Sequence, residues 1–229
     1  MSTRKIFIEG NGHYDFKPLS HYEEKWSFLH DYRRKKIIAQ KLSYLEFHRH
    51  LLNKIKHTNL VEGSLDMSID FDLSVGFIQT DILLIGSICE GALYSQLRHR
   101  YDRGSRTTKK SVQDCFEVKE KKFESLSNQE FKKEGSDTSF KIGCYRTETK
   151  QLQEYAVSFS NLLKVAKSIS LISSDCFGRL DLLRKSRNTI HSGEEARRQS
   201  DERFVFSVAD REEALETMVI FGDPKSNFK

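Results

Sequence analysis

Between Ser74 and Tyr101 the chain repeats apolar residues at helical spacing for some seven turns, and this stretch limits what it can fold into more than any other. Ile78, Ile82, Ile85, Cys89 and Leu93 step by four and three, which sets them on one helical face. Leu83, Leu84, Ile88 and Ala92 widen that face, as expected of a helix at the centre of a bundle. Its most apolar part, Ile82 to Ala92, is short for a bilayer and contains Glu90, so no membrane span is expected.

Other segments supply helices to pack around it. Trp26, Leu29, Arg33, Ile37, Leu42, Leu45 and Leu52 give an imperfect helical pattern from Ser20 to about Ile55, with Ser20 and Glu23 at capping-box spacing. Arg34, Lys35, Lys36, Lys41, Arg49 and Lys54 make this helix basic, and they read as a solvated outer face. Residues 57–73 read as a polar connection. A further helix is expected from near Gln151 to Leu171, carrying Tyr155, Phe159, Leu162, Leu163, Ala166 and Ile169. Ser173 to Asp175 then turn and cap a helix from about Cys176 to His191, which Gly193 is placed to stop. Phe204-Val205-Phe206 leads to a last helix, capped by Ser207 with Asp210 and ended by a glycine and Pro224.

Two segments break the helical pattern. Ile6-Phe7-Ile8 and His13 to Phe16 flank Glu9-Gly10-Asn11-Gly12, a hairpin signature that Pro18 closes. Residues 102–150, rich in Lys, Glu and Ser, contain short alternating pieces such as Phe140 to Tyr145 and read as an insertion projecting from the bundle. The expected architecture is therefore mainly all-α: an N-terminal arm over 1–19, then an elaborated antiparallel helical bundle over 20–229 with a small β-containing insertion.

The 229 residues can bury a core without disulfides or metal. Cys89, Cys115, Cys144 and Cys176 form no C-x-x-C pair, which excludes the usual zinc and redox spacings and fits a reducing compartment. Met1 to Phe7 lacks the apolar run of a secretory signal, so a cytoplasmic location is expected. The formal charge of +5 permits nucleic-acid binding without requiring it.

The helix ending at His191 carries the chemistry. At 100° per residue, Phe177, Leu180, Arg184, Arg187, Asn188 and His191 share a quarter to a third of its circumference. A face that begins apolar thus ends in two guanidiniums, an amide and an imidazole. A histidine titrates near neutrality and can give or take a proton. A guanidinium fork matches phosphate oxygens and stabilises charge building on them. RNA brings its own 2′-hydroxyl nucleophile, so the set suits metal-independent RNA cleavage, and a two-fold dimer would bring two such sets together. Cations in a last helical turn are also what the helix dipole favours, so plain capping is the structural alternative.

Other clusters carry less. His48 and His50 are two apart on a helix and point in different directions, so no metal site is expected. Arg98, His99, Arg100, Arg103, Arg106, Lys109 and Lys110 form a basic group suited either to an RNA backbone or to a solvated helix end.

Leu182 to Gly193 resembles the signature helix of HEPN domains, in which an arginine followed by a polar residue precedes a histidine by a short gap. Phe159–Leu171 is similar to the helix before it, Ser207–Phe221 to the closing helix, and Ile82–Leu97 to an early helix that often carries an acidic residue facing the motif. Three residues separate Arg187 from His191 and six separate Arg184 from it, where the family's common spacing is about four to six. The resemblance implies a metal-independent ribonuclease of toxin–antitoxin or phage-defence systems, with no cofactor. It would act as a homodimer on RNA and answer to an antitoxin or other defence-system partner. It gives His191 the acid–base role, Arg187 phosphate binding and Asn188 the shaping of the site, with Arg184, at the looser spacing, a further catalytic candidate able to reach the histidine's side. Glu90 would orient an arginine; apart from the resemblance, Arg98 and Arg100 of the basic group are the further candidate RNA contacts. The alternative within the same resemblance is a non-catalytic module binding RNA, nucleotide or a partner protein.

Overall fold

The computed structural model describes residues 5–8, 12–61, 67–132, 134–135, 139–191 and 206–223. Side chains are described for 14–52, 75–124, 134–135, 143–190 and 206–223. Strands β1 (Lys5–Ile8) and β2 (Gly12–Asp15) pair antiparallel as the arm. Helices α1 (Leu19–Lys25), α2 (Tyr32–Val61), α3 (Met67–Arg103) and α4 (Arg106–Phe116) follow. The long hairpin β3 (Glu117–Lys132) and β4 (Ser139–Gln151) comes next. A 3₁₀ turn (Glu154–Ala156) then leads to α5 (Phe159–Ser168), α6 (Ser174–His191) and α7 (Val208–Gly222). The protein is a mainly helical bundle with a small β element.

Helix α3 is the axis and packs against α2, α4, α5, α6 and α7. Every residue of its expected stripe, Ile78, Ile82, Ile85, Cys89 and Leu93, is 4% exposed or less. Among the described residues α3 has the length and composition of a membrane span, but its apolar side chains form the bundle core.

The first expected helix is two helices. Asp31 restarts the chain as α2: its carboxylate accepts from the Arg34 N–H at 3.2 Å and its carbonyl from the Lys35 N–H at 2.9 Å. The break turns Trp26 and Leu29 into the core, and the Gln96 amide donates to the freed Phe28 carbonyl at 2.7 Å. It also resets the helical phase, so Ile38 is buried while Ile37 stays half-exposed. Ser20 and Glu23 do not form the cap; the N-cap of α1 is Pro18, with no side-chain bond. Helix α2 extends to Val61 and α3 begins at Met67, so most of the expected polar connection over 57–73 is helical.

The expected insertion is shorter than 102–150. Val112, Cys115 and Phe116 of α4 are fully buried, so this segment belongs to the bundle, and the projecting part is the β3–β4 hairpin. Short-range polarity hid α4, whose burial needs only one apolar face. Ser173 and Ser207 cap α6 and α7 as their sequences indicate, the latter in a full capping box with Asp210. The helix expected from Gln151 begins only at Phe159, under a Ser158 cap, which leaves Tyr155 on the 3₁₀ turn. Gly193 and Pro224 lie outside the described residues.

Candidate functional site

One face of α3 differs from its core stripe. Gly86, Ser87, Glu90, Gly91 and Tyr94 recur at helical spacing and line a shallow, small-residue notch. Into it reach Arg34 and Lys41 from α2 and Arg187 from α6. Together with Tyr155 of the 3₁₀ turn they bound a cleft of about 640 Å³. Its lining sets four cations, Arg33, Arg34, Lys41 and Arg187, against three carboxylates, Asp31, Glu90 and Glu154.

Gly86 permits the central contact. A Cβ at that position would come within 3.0 Å of Arg187 Cδ, so the arginine stem lies directly over the glycine. The guanidinium then donates from Nη1 to Glu90 Oε2 at 2.5 Å, one turn along α3. Both side chains are about one-quarter exposed, so the pair lies at the floor of the cleft but still meets solvent.

Lys41 Nζ donates to Ser87 Oγ on the adjoining turn of α3. Its pKa is lowered, first by burial and then by the charges of Arg187 and Arg34, against an opposing contribution from Glu90. Arg34 stacks on the Tyr94 ring at 4.3 Å and donates to Glu154 at 2.7 Å. Its Nε is buried without a hydrogen-bond partner, 3.7 Å from an Asp31 oxygen. Tyr155, 91% exposed, offers its ring at the cleft mouth. These groups can hold an anion: charge-assisted donors converge from two helices in a place that is partly dry.

The sequence-derived residues divide. Arg187 and Glu90 meet. His191 is the last residue of α6, one turn beyond Arg187 and about 6 Å further along the axis; its side chain lies outside the described residues. Asn188 is exposed. Arg184 is bound within its own helix, with Nε and Nη2 each 2.8 Å from Asp181 Oδ1, and does not line the cleft. Arg98 is eight residues, about 12 Å, from Glu90 along α3. It donates to Asp102 at 2.9 Å and lies over the Tyr101 and Phe116 rings. Arg100, at the same end of α3, is likewise outside the cleft lining.

Lys41 and Arg34 are the residues that sequence reasoning assigned to solvent. The usable signal was the run Gly86-Ser87, Glu90-Gly91 and Tyr94, a polar, small-residue stripe on an otherwise apolar helix. His48 and His50 do not converge either: His48 Nδ1 lies 2.8 Å from Asp81, and His50 packs on the Tyr14 ring. All four cysteines are free.

Fold and cleft together define a class, a helical bundle with a cationic cleft between α2, α3 and α6. Compared with protein-family models, curated proteins and solved structures, the chain matches none.

Proposed function

We propose that the protein is a metal-independent endoribonuclease of the HEPN type, cytoplasmic and active as a homodimer in phage defence or as a toxin. The observation that carries this reading is the Arg187–Glu90 pair at the floor of a cleft also lined by Lys41 and Arg34, with His191 one turn beyond on the same helix. Arg187 and Lys41 bind the scissile phosphate, and Glu90 fixes the guanidinium. The RNA 2′-hydroxyl attacks the neighbouring phosphorus, the bond to the 5′-oxygen breaks, and a 2′,3′-cyclic phosphate results. His191 takes the hydroxyl proton or supplies one to the departing oxygen, and the partner's His191 serves the other transfer. Tyr155 gives a flanking base a ring to stack on.

The test is cleavage of end-labelled RNA by the purified protein in a metal chelator. Wild type should cut, and Arg187→Ala and His191→Ala should not while melting as wild type does. Full activity in either variant, with contaminating nuclease excluded, overturns the reading.

One observation favours a non-catalytic alternative: Arg187 and Arg34 already have carboxylate partners, as in a module that holds RNA, nucleotide or a partner protein without turnover. RNA binding without cleavage from about pH 5 to about pH 9, the range over which a histidine acid–base group changes state, would favour it.

A further inference from the structure

The β3–β4 hairpin has two chemically different faces. Side chains alternate along each strand, and the register fixes which ones share a face. The even-numbered face is a balanced ladder, in which Lys122 pairs with Glu148 at 2.7 Å, Lys150 with Glu120 at 3.4 Å and Arg146 with Glu124 at 3.5 Å. Every described charge on it has an opposite.

The odd-numbered face carries Lys119, Lys121 and Phe123 on β3 against Thr149, Thr147 and Tyr145 on β4. Neither lysine has an ion-pair partner among the described residues. Among the residues whose side chains are described, the one carboxylate on this face is Glu117 at the root, which accepts hydrogen bonds from the Tyr101 hydroxyl and the Gln113 amide. Lys109 of α4 lies 4.6 Å from the centroid of that Tyr101 ring and its charge also acts on Glu117, so the root of this face carries both signs and the unpaired lysines stand further out along the hairpin.

The aromatic pair is exposed and held in place. Phe123 is 47% and Tyr145 70% exposed, with ring centroids 5.5 Å apart. The edge of the Phe123 ring lies over Gly143, where a Cβ would come within 2.3 Å of its Cζ. The absence of a side chain at Gly143 leaves the space that the ring occupies across the strands.

We propose that this face is a binding surface for single-stranded RNA, an arm that holds the strand outside the α2–α3–α6 cleft. As a substrate-holding arm it rests on the ribonuclease reading, though RNA binding by the hairpin can be measured without it. Two lysines on alternate residues, about 6.8 Å apart, follow a phosphate backbone, and the tyrosine and phenylalanine offer rings to bases.

The experiment uses the full chain and a 2′-O-methyl RNA of about 16 nucleotides, the upper end of single-strand site sizes, which cannot be cut through the 2′-oxygen. Binding is read by fluorescence anisotropy over a salt series for two variants of equal net charge, K119Q/K121Q and K122Q/R146Q. K119Q/K121Q should bind about tenfold more weakly and flatten the dependence of log affinity on log salt by about 1.4, two phosphate contacts' worth. K122Q/R146Q should stay within about twofold. Tyr145→Ala should lose about 5- to 150-fold in affinity through lost stacking, with the melting midpoint unchanged. Equal losses from both charge pairs would reduce the effect to general electrostatics and overturn the proposal. Unchanged affinity in all variants would overturn it too and point to a protein partner. Because this RNA cannot be cut, a failed cleavage assay would count against the ribonuclease reading and leave this result standing.

Discussion

Arg187 of α6 and Glu90 of α3, ninety-seven residues apart in sequence, meet at 2.5 Å across a glycine. The pair has two consequences that pull in opposite directions. Glu90 fixes the guanidinium, and it competes with any phosphate for the same donors. Glu90→Gln should therefore tighten RNA binding several-fold while lowering the cleavage rate about tenfold, the loss expected when a charge-assisted bond that orients a group is weakened. Single-turnover kinetics at saturating protein separate the two effects. Weaker binding in this variant would mean that Glu90 does not face the ligand.

Lys41 gives the cleft a pH dependence. Burial and neighbouring arginines hold its pKa below that of an ordinary lysine. Between the folded and unfolded pKa values the unfolded chain carries more protons, so this group's contribution to stability rises with pH through that window and is lost as pH falls through the folded value. An anion in the cleft favours the charged ammonium, so RNA affinity should fall as pH rises through the folded value, before the usual lysine range near about 10.4. Lys41→Arg keeps its charge throughout. Anisotropy titrations from about pH 7 to about pH 10 should show a decline in wild type and a flatter profile in Lys41→Arg. Parallel profiles would remove Lys41 from the site.

The most buried ion pair among the described residues lies away from the cleft. Asp81, fully buried in α3, takes Arg211 Nε at 2.5 Å and has His48 Nδ1 at 2.8 Å. Arg211 also reaches Glu212 at 2.9 Å, so α2, α3 and α7 are tied through one carboxylate. Arg211→Met leaves that carboxylate with His48 alone and should cost about 3–5 kcal/mol. For a chain of this size that lowers the melting midpoint by roughly 6–20 °C. The double variant Asp81→Leu with Arg211→Met removes the buried charge that has lost its guanidinium and should recover much of the loss. A double variant no better than the single one would show that the aspartate is otherwise satisfied.

Thiol chemistry reports on the packing of three helices at once. Cys89, Cys115 and Cys176 are buried while Cys144 is exposed on β4. Burial pushes the Cys176 thiol up to about 11 and Cys115 up to about 12. In the native protein a thiol reagent should modify one cysteine quickly, and all four only after denaturation. Fast modification of two or more would contradict the α3–α6 and α4–α5 packing.

Legibility in the sequence followed the range of the interactions. Helix α3 was readable because its buried stripe is long and regular, and α6 and α7 because local caps at Ser173 and Ser207 mark their starts. The α1–α2 break was not, since it depends on Gln96 of α3 accommodating the freed Phe28 carbonyl. Helix α4 was hidden because three buried residues, Val112, Cys115 and Phe116, suffice to seat it. At the site, Arg187 stood out by its motif and Glu90 through the family resemblance. Lys41 and Arg34 did not, because on a helix crowded with cations only packing against α3 decides which ones turn inward.

The central claim, RNA cleavage at this helix end by 2′-hydroxyl attack, is tested most directly by the chemistry of the cut ends. Labelled RNA is incubated with the purified protein in EDTA, and the fragments are analysed by mass spectrometry. Wild type should leave 2′,3′-cyclic phosphate and 5′-hydroxyl ends, and His191→Ala should leave the RNA intact. Ends bearing a 3′-hydroxyl, cleavage only on adding a divalent metal, or undiminished cutting by His191→Ala would contradict the account.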